Sequence, residues 1–257
     1  MAKIIAIASG KGGVGKTITS INIAAALNML GKNAVVIDGN LTGANISLYL
    51  GSPVVPVTLN HVLQGKKHIY EAVYEHHSGL KVVPSSISIE TLKNIKAEKF
   101  KKEMQKLKKI AEFIILDSAA GIGDEAMLAL NALNEDDDLI VVTAPEMPSI
   151  TDTIKTIKMA EKFKKNVKGI IITRVRNDKK EISSKNIKEL MEKPILAKVP
   201  EDDAVRESVM MKNAVVLTHP NGKAAKSYKR LASKIANMEY DEEKGFFKRL
   251  LDRIFSA

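Results

Sequence analysis

A chain of 257 residues is long enough to bury a substantial core as one α/β domain with a tail. Cysteine is absent, which excludes disulfides, thiol nucleophiles and cysteine-ligated metal or iron–sulfur sites. The net charge of +10 favours an acidic surface as partner, either nucleic acid or anionic lipid, without choosing between them. The charged start leads at once into a strand, with no signal pattern, and no apolar run approaches the ~20 residues needed to span a bilayer, so a cytosolic location is expected.

Residues 3–9 (KIIAIAS) form a short, Ile-rich apolar run and read as a buried strand. Gly10-Lys11-Gly12-Gly13-Val14-Gly15-Lys16-Thr17 follows, matching every fixed position of the phosphate-binding loop pattern G-x-x-x-x-G-K-[ST]. Residues 17–30 then carry apolar side chains at helical spacing and stop at Gly31. Strand, glycine loop and helix are the context this chemistry needs. Glycines let several N–H groups converge on phosphate oxygens, and the helix adds its positive end. In such a loop Lys16 reaches the β- and γ-phosphates and the Thr17 hydroxyl ligates Mg²⁺. Gly10, Lys11, Gly12, Gly13, Val14, Gly15, Lys16, Thr17 and Ile18 are therefore the candidate phosphate-binding residues.

Residues 33–38 (NAVVID) read as a second buried strand delivering Asp38 to its carboxyl end, the edge where ligands bind in open parallel sheets. A polar loop carrying Asn40 follows. A short helix is expected over 58–64, a strand over 80–84 and a long lysine-rich helix over 90–109, its apolar stripe being Leu92, Ile95, Phe100, Met104 and Leu107. For its lysines a solvated outer face is the preferred reading. Residues 112–117 (EFIILD) form a strand that again ends in an aspartate, Asp117. Further strands are expected over 138–144, 168–174 and 195–199, with a closing amphipathic helix over 221–237. The histidines are scattered or adjacent and lack metal-ligand spacing.

Beyond an acidic connector, Phe246, Phe247, Leu250, Leu251, Ile254 and Phe255 fall on one half of a helical wheel, with Lys248, Arg249, Asp252 and Arg253 on the other. A helix of ten residues is about 15 Å long, too short to cross a bilayer but suited to lying in its surface. The alternative for this segment is a helix docked on the protein's own core.

The stretch KGGVGKTITSINIAAAL, with its second lysine at Lys11, resembles the deviant Walker A ATPases, the MinD and ParA family. The resemblance continues through Asp117-Ser118-Ala119-Ala120-Gly121, similar to a DSPAG switch II with Ala119 in place of proline, and through PEMPSITDTIK to the tail. It implies a doubly wound, mostly parallel α/β sheet with helices on both faces, binding ATP or ADP with Mg²⁺. Thr17, Asp38 and Asp117 would serve the metal. Lys11 would reach across an ATP-dependent homodimer, and Asp152 would contact the dimer partner or a regulatory protein. Thr173, Arg174, Pro200, Glu201 and Asp202 would lie around the base. Lys11, Lys16, Asp38, Asn40 and Asp117 form the expected catalytic set. At position 40 the family carries an aspartate that positions or activates the attacking water. Asn40 can hydrogen-bond a water but cannot take its proton, so slow hydrolysis is expected.

The resemblance also divides the chain into an ATPase domain (1–237), a linker (238–245) and a membrane-targeting helix (246–257). This places the protein peripherally on the inner face of the cell membrane, in spatial positioning such as division-site placement. The lack of cysteine removes the iron–sulfur members as functional matches. Two alternatives stay open: a ParA-like protein binding non-specific DNA, and a nucleotide-sensing scaffold with very weak hydrolysis owing to Asn40.

Overall fold

A computed structural model of the chain describes residues 2–52, 54–86 and 95–240. Apolar runs too short for helices and rich in Ile and Val pair into eight strands: β1 (Lys3–Ala8), β2 (Ala34–Gly39), β3 (Tyr74–Glu75), β4 (Lys81–Val83), β5 (Phe113–Ser118), β6 (Asp138–Thr143), β7 (Val167–Val175) and β8 (Ile195–Pro200). They form one sheet in the order β3-β4-β2-β5-β1-β6-β7-β8. Every neighbouring pair is parallel except the β3–β4 edge.

Helices α1 (Lys16–Met29), α2 (Ile46–Tyr49), α3 (Leu59–Leu63), α4 (Ala97–Lys106), α5 (Asp124–Ala132), α6 (Met147–Lys162), α7 (Ser184–Met191), α8 (Asp203–Met210), α9 (Val215–Thr218) and α10 (Lys223–Ile235) cover both faces of the sheet. The pleat of β1 shows how. Ile4, Ala6 and Ala8 point into a core shared with α3 to α7, while Ile5 and Ile7 point into a second core with α1, α2, α9 and α10. A strand buried on both faces has no polar alternation, which is why the central strands read as continuous apolar runs.

The expected elements recur with ends shifted by one or two residues, apart from the lysine-rich helix. Over 90–109 the structure corrects the expectation: Lys96 is extended, helix α4 starts at Ala97, and a 3₁₀ turn over Leu107–Lys109 closes it. Phe100, Met104 and Leu107 are fully buried and fix the helix on the sheet; Leu92 lies outside the described residues. The antiparallel β3 and the 3₁₀ turn at Ile69–Ala72 were not anticipated. The expectations for residues 241–257, including Phe246, Phe247, Leu250, Leu251, Ile254 and Phe255, lie outside the described residues. No described helix is long and apolar enough to cross a membrane.

Candidate nucleotide site

Strands β1, β2 and β5 run side by side and finish at one edge of the sheet, so their carboxyl ends bring the glycine loop, Asp38 and Asp117 together. Asp38 and Asp117 are paired in register on neighbouring parallel strands, and their side chains therefore share a face.

The glycine loop turns twice through the left-handed region, at Gly13 (φ 78°) and Gly15 (φ 83°), where side chains are strained. Gly15 is the N-cap of α1 and swings Lys16 and Thr17 into its first turn, which holds no acidic residue to neutralise the helix's positive end. Gly10 serves a different purpose: a Cβ there would lie 2.1 Å from the Asp152 carbonyl carbon, so the loop packs directly on the α6 backbone. From the far side, Thr173 at the end of β7 donates its hydroxyl to the Val14 carbonyl (2.6 Å) and to the Thr143 carbonyl (3.1 Å). Gly121 closes the assembly by donating its N–H to the Ser9 carbonyl (2.8 Å).

Asp117 is the hub of this arrangement and is fully buried. Its Oδ1 pairs with the Lys16 ammonium (3.0 Å) and accepts from the Ser20 hydroxyl (3.0 Å), and its Oδ2 accepts from the Thr17 hydroxyl (2.6 Å). Lys16 also donates to the Ser118 carbonyl. Ser20 was missed from the sequence; its signal was its place one helical turn after Lys16 on α1.

Asp38, likewise fully buried, spends both oxygens on the following loop. Oδ1 accepts from the Asn40 N–H (3.1 Å), and Oδ2 from the N–H groups of Asn45 (2.7 Å) and Ile46 (3.0 Å). Burial, and secondarily the charge of Asp117, push its carboxyl up from an ordinary 3.8 to about 7 against the pull of those three N–H donors. The Asn40 side chain is half-buried and accepts from the Gly43 N–H (3.2 Å).

The remaining candidates fall into two groups. Lys11 is exposed, Val14 is buried, and Ile18 lies on α1 behind the loop. At the ends of β7 and β8, Arg174 is exposed with a left-handed backbone (φ 54°), and Glu201 is ion-paired with Arg176. The Asp202 carboxylate accepts from Ala204 N–H (3.1 Å) and Ala224 N–H (3.0 Å), joining the starts of α8 and α10. Ser149, in the stretch resembling a dimer face, is buried inside the subunit, its hydroxyl accepting from the Ala144 N–H (3.1 Å). Asp152 is partly exposed and pairs with Lys155 (2.9 Å).

These donors fit a polyphosphate with a divalent cation. The Lys16 ammonium, the glycine loop and the start of α1, whose first turn holds no acidic residue, stand beside the Thr17 hydroxyl and two in-register buried carboxylates, the hard oxygen ligands such a cation takes. Burial first, and the neighbouring Asp117 second, hold the Asp38 carboxyl up near 7, and a bound cation would favour its ionised form.

The ParA family, described as "NUBPL iron-transfer P-loop NTPase", matches residues 1–236. The chain belongs to this family. An "uncharacterized ATP-binding protein" of Methanocaldococcus jannaschii is 38% identical to this ParA-family chain over 243 residues, covering 95% of it and 91% of the relative. The septum site-determining protein MinD of Neisseria meningitidis is 31% identical over 273 residues, covering 97% of this chain and 99% of its own. Among solved structures, MinD of Pyrococcus horikoshii complexed with Mg-ADP superposes with a TM-score of 0.84 at 32% identity, covering 91% of this chain and 96% of that one. The protein is an ATPase of the MinD/ParA type. The iron transfer in the family description has no thiolate chemistry available here, since this ATPase contains no cysteine.

The Asp38 environment gives a signed pH prediction. A carboxyl whose pKa is higher folded than unfolded binds its proton first in the native state, so the contribution of Asp38 to stability is full below about pH 4 and is lost as pH rises toward 7. The slope is at most about 1.4 kcal/mol per pH unit. The nucleotide-free protein should thus melt lower at pH 7.5 than at pH 5. Mg-ADP should raise the melting temperature more at pH 8 than at pH 6, because cation binding favours ionised Asp38. Parallel melting curves with and without Mg-ADP from pH 5 to 8 check both; a ligand shift that does not depend on pH would contradict the assignment.

Proposed function

We propose that this ATPase works as a nucleotide-driven membrane switch. Mg-ATP is held by the loop from Gly10 to Thr17 and by Ile18, with Thr17, Asp38 and Asp117 serving the cation; two chains close on it through Lys11, and paired tails engage anionic lipid. The observation that carries this reading is the convergence of Lys16, Thr17 and Ser20 on Asp117 beside an exposed Lys11 on the same loop. Lys16 orients the terminal phosphates and spreads their charge. When bound, the cation neutralises charge on the β- and γ-oxygens. Asn40 orients the water that ends the bound state, and as an amide it does so slowly. Thr173, Arg174, Pro200, Glu201 and Asp202 flank the base, with Thr173 also bracing the loop through Val14.

The tail over 246–257, joined by the linker over 238–245 to the ATPase domain over 1–237, explains the use of a dimer. One short amphipathic helix gives marginal lipid binding, and two presented together gain avidity. Hydrolysis separates the chains and releases them from the inner face of the membrane, as spatial positioning requires, with the partly exposed Asp152 offered to the second chain or a regulator.

One observation favours a second reading. Lys223, Lys226, Arg230 and Lys234 form an exposed basic stripe along α10, as non-specific DNA binding would use. Two assays separate the readings. Sedimentation with vesicles containing anionic lipid, in ATP and in ADP, should pellet wild-type protein several-fold more in ATP, and substituting Phe246→Glu with Leu250→Glu should abolish the difference. Equal pelleting in all arms sinks the membrane switch. ATP-dependent, steeply salt-sensitive DNA retention that survives removal of 246–257 favours the second reading.

A further inference from the structure

The two peptide groups flanking the Asn40 Cα are both held by carboxylates. The preceding one is anchored where the Asn40 N–H donates to Asp38 Oδ1 (3.1 Å). The following one is anchored where the Leu41 N–H donates to Oε2 of Glu125 (2.9 Å). Glu125 is 84 residues away in sequence, in the first turn of α5, directly downstream of the segment that leaves Asp117. Its partner on the other side is Asn60, almost fully buried, whose amide donates to the Leu41 carbonyl (3.1 Å) and accepts from the Ser86 N–H (3.0 Å). The Leu41 side chain is itself 2% exposed in the core under α3 to α7. Residue 41 is therefore clamped at its N–H, its carbonyl and its side chain, and the direction in which Asn40 projects is fixed by its neighbours. A backbone held in this way at a functional position reduces the motion that would misplace the side chain.

We propose that Glu125 is a positioning residue for ATP hydrolysis: by accepting the Leu41 N–H it ties the loop carrying Asn40 to the helix that follows Asp117. The segments after β2 and β5 then move as one unit, and Asn40 meets the attacking water only while that unit is intact. The inference rests on the reading of Asn40 as the water-orienting residue. It assigns Glu125 the role of acceptor: what matters is an oxygen at that place, and the amide oxygen of glutamine supplies one.

The test uses the full-length protein with Glu125→Ala and Glu125→Gln, and Glu125→Ala combined with Asn40→Ala. Amide exchange at Leu41 in the nucleotide-free protein should be about 10-fold faster in Glu125→Ala and close to wild type in Glu125→Gln, a loss proportionate to one hydrogen bond. The Ile114 and Leu130 amides, as controls of the fold, should stay protected. In turnover, Glu125→Ala should lower kcat about 10-fold with KM for ATP within about 2-fold, Glu125→Gln should recover most of the loss, and Glu125→Ala should add nothing once Asn40 is alanine. Unchanged Leu41 exchange in Glu125→Ala overturns the tie itself. Faster exchange with wild-type kcat, or losses that multiply in the double variant, overturns the positioning role. Wild-type turnover in Asn40→Ala alone overturns the reading of Asn40 and the role of Glu125 with it, and the exchange result then still decides whether the two segments are tied.

Discussion

Substituting Lys16 with methionine is expected to lower ATP turnover about 1,000-fold, the scale on which removal of a preorganised charge acts on phosphoryl transfer. Methionine keeps the unbranched stem and the helix propensity of α1, so the loss isolates the ammonium. The same substitution carries a second signature in the nucleotide-free protein. Lys16 is the cation that pairs with Asp117, and Asp117 sits in register beside Asp38, both fully buried. Without the ammonium, Asp117 keeps the hydroxyls of Thr17 and Ser20 but faces Asp38 with no compensating charge. Removing one partner of a buried pair costs about 3 kcal/mol, so the variant should melt several degrees lower, most visibly above pH 7 where Asp38 is ionised. Turnover assays and melting curves at pH 6 and 8 read both effects. Wild-type turnover would contradict the role given to Lys16.

The second large effect is expected at Lys11. It is exposed on the loop that holds Lys16, and its carbonyl accepts from the Ser9 hydroxyl (3.0 Å), a backbone contact that alanine keeps. Alanine at position 11 should therefore leave the fold and the melting temperature of the nucleotide-free protein unchanged. Nucleotide affinity should fall by no more than a few-fold, since Lys16, Thr17 and the loop N–H groups remain. ATP-driven association should be lost, and lipid binding with it, because avidity disappears when two tails are no longer joined.

The sequence made the frame of this site readable for a specific reason. Strand, glycine loop and helix over 3–30 are contiguous, and the loop's chemistry is written in residue types that serve little else. Asp38 and Asp117 were legible because each ends an apolar run, and parallel strands carry such residues to one edge. What was not legible depends on pairings between distant segments. Glu125 and Asn60 act on Leu41 across 84 and 19 positions, and neither bears a motif. Gly10 looked like a residue of loop curvature, yet its packing demand comes from the α6 backbone, which no local pattern announces. Over 95–109 the helix α4 begins at Ala97, after the extended Lys96, and is fixed on the sheet by the buried Phe100 and Met104. Composition does not mark where the helix starts, nor that Lys108 leaves the solvated face to pair with the buried Asp137 (2.8 Å).

The claim that bound ATP joins two chains through Lys11 is tested most directly by sedimentation velocity. Wild-type protein and Lys11→Ala would be compared in Mg-ATP and in Mg-ADP. Wild type should sediment as a dimer in ATP and as a monomer in ADP, and Lys11→Ala as a monomer in both while still binding nucleotide. A wild-type monomer in saturating Mg-ATP, or a Lys11→Ala dimer as stable as the wild type, would contradict the account.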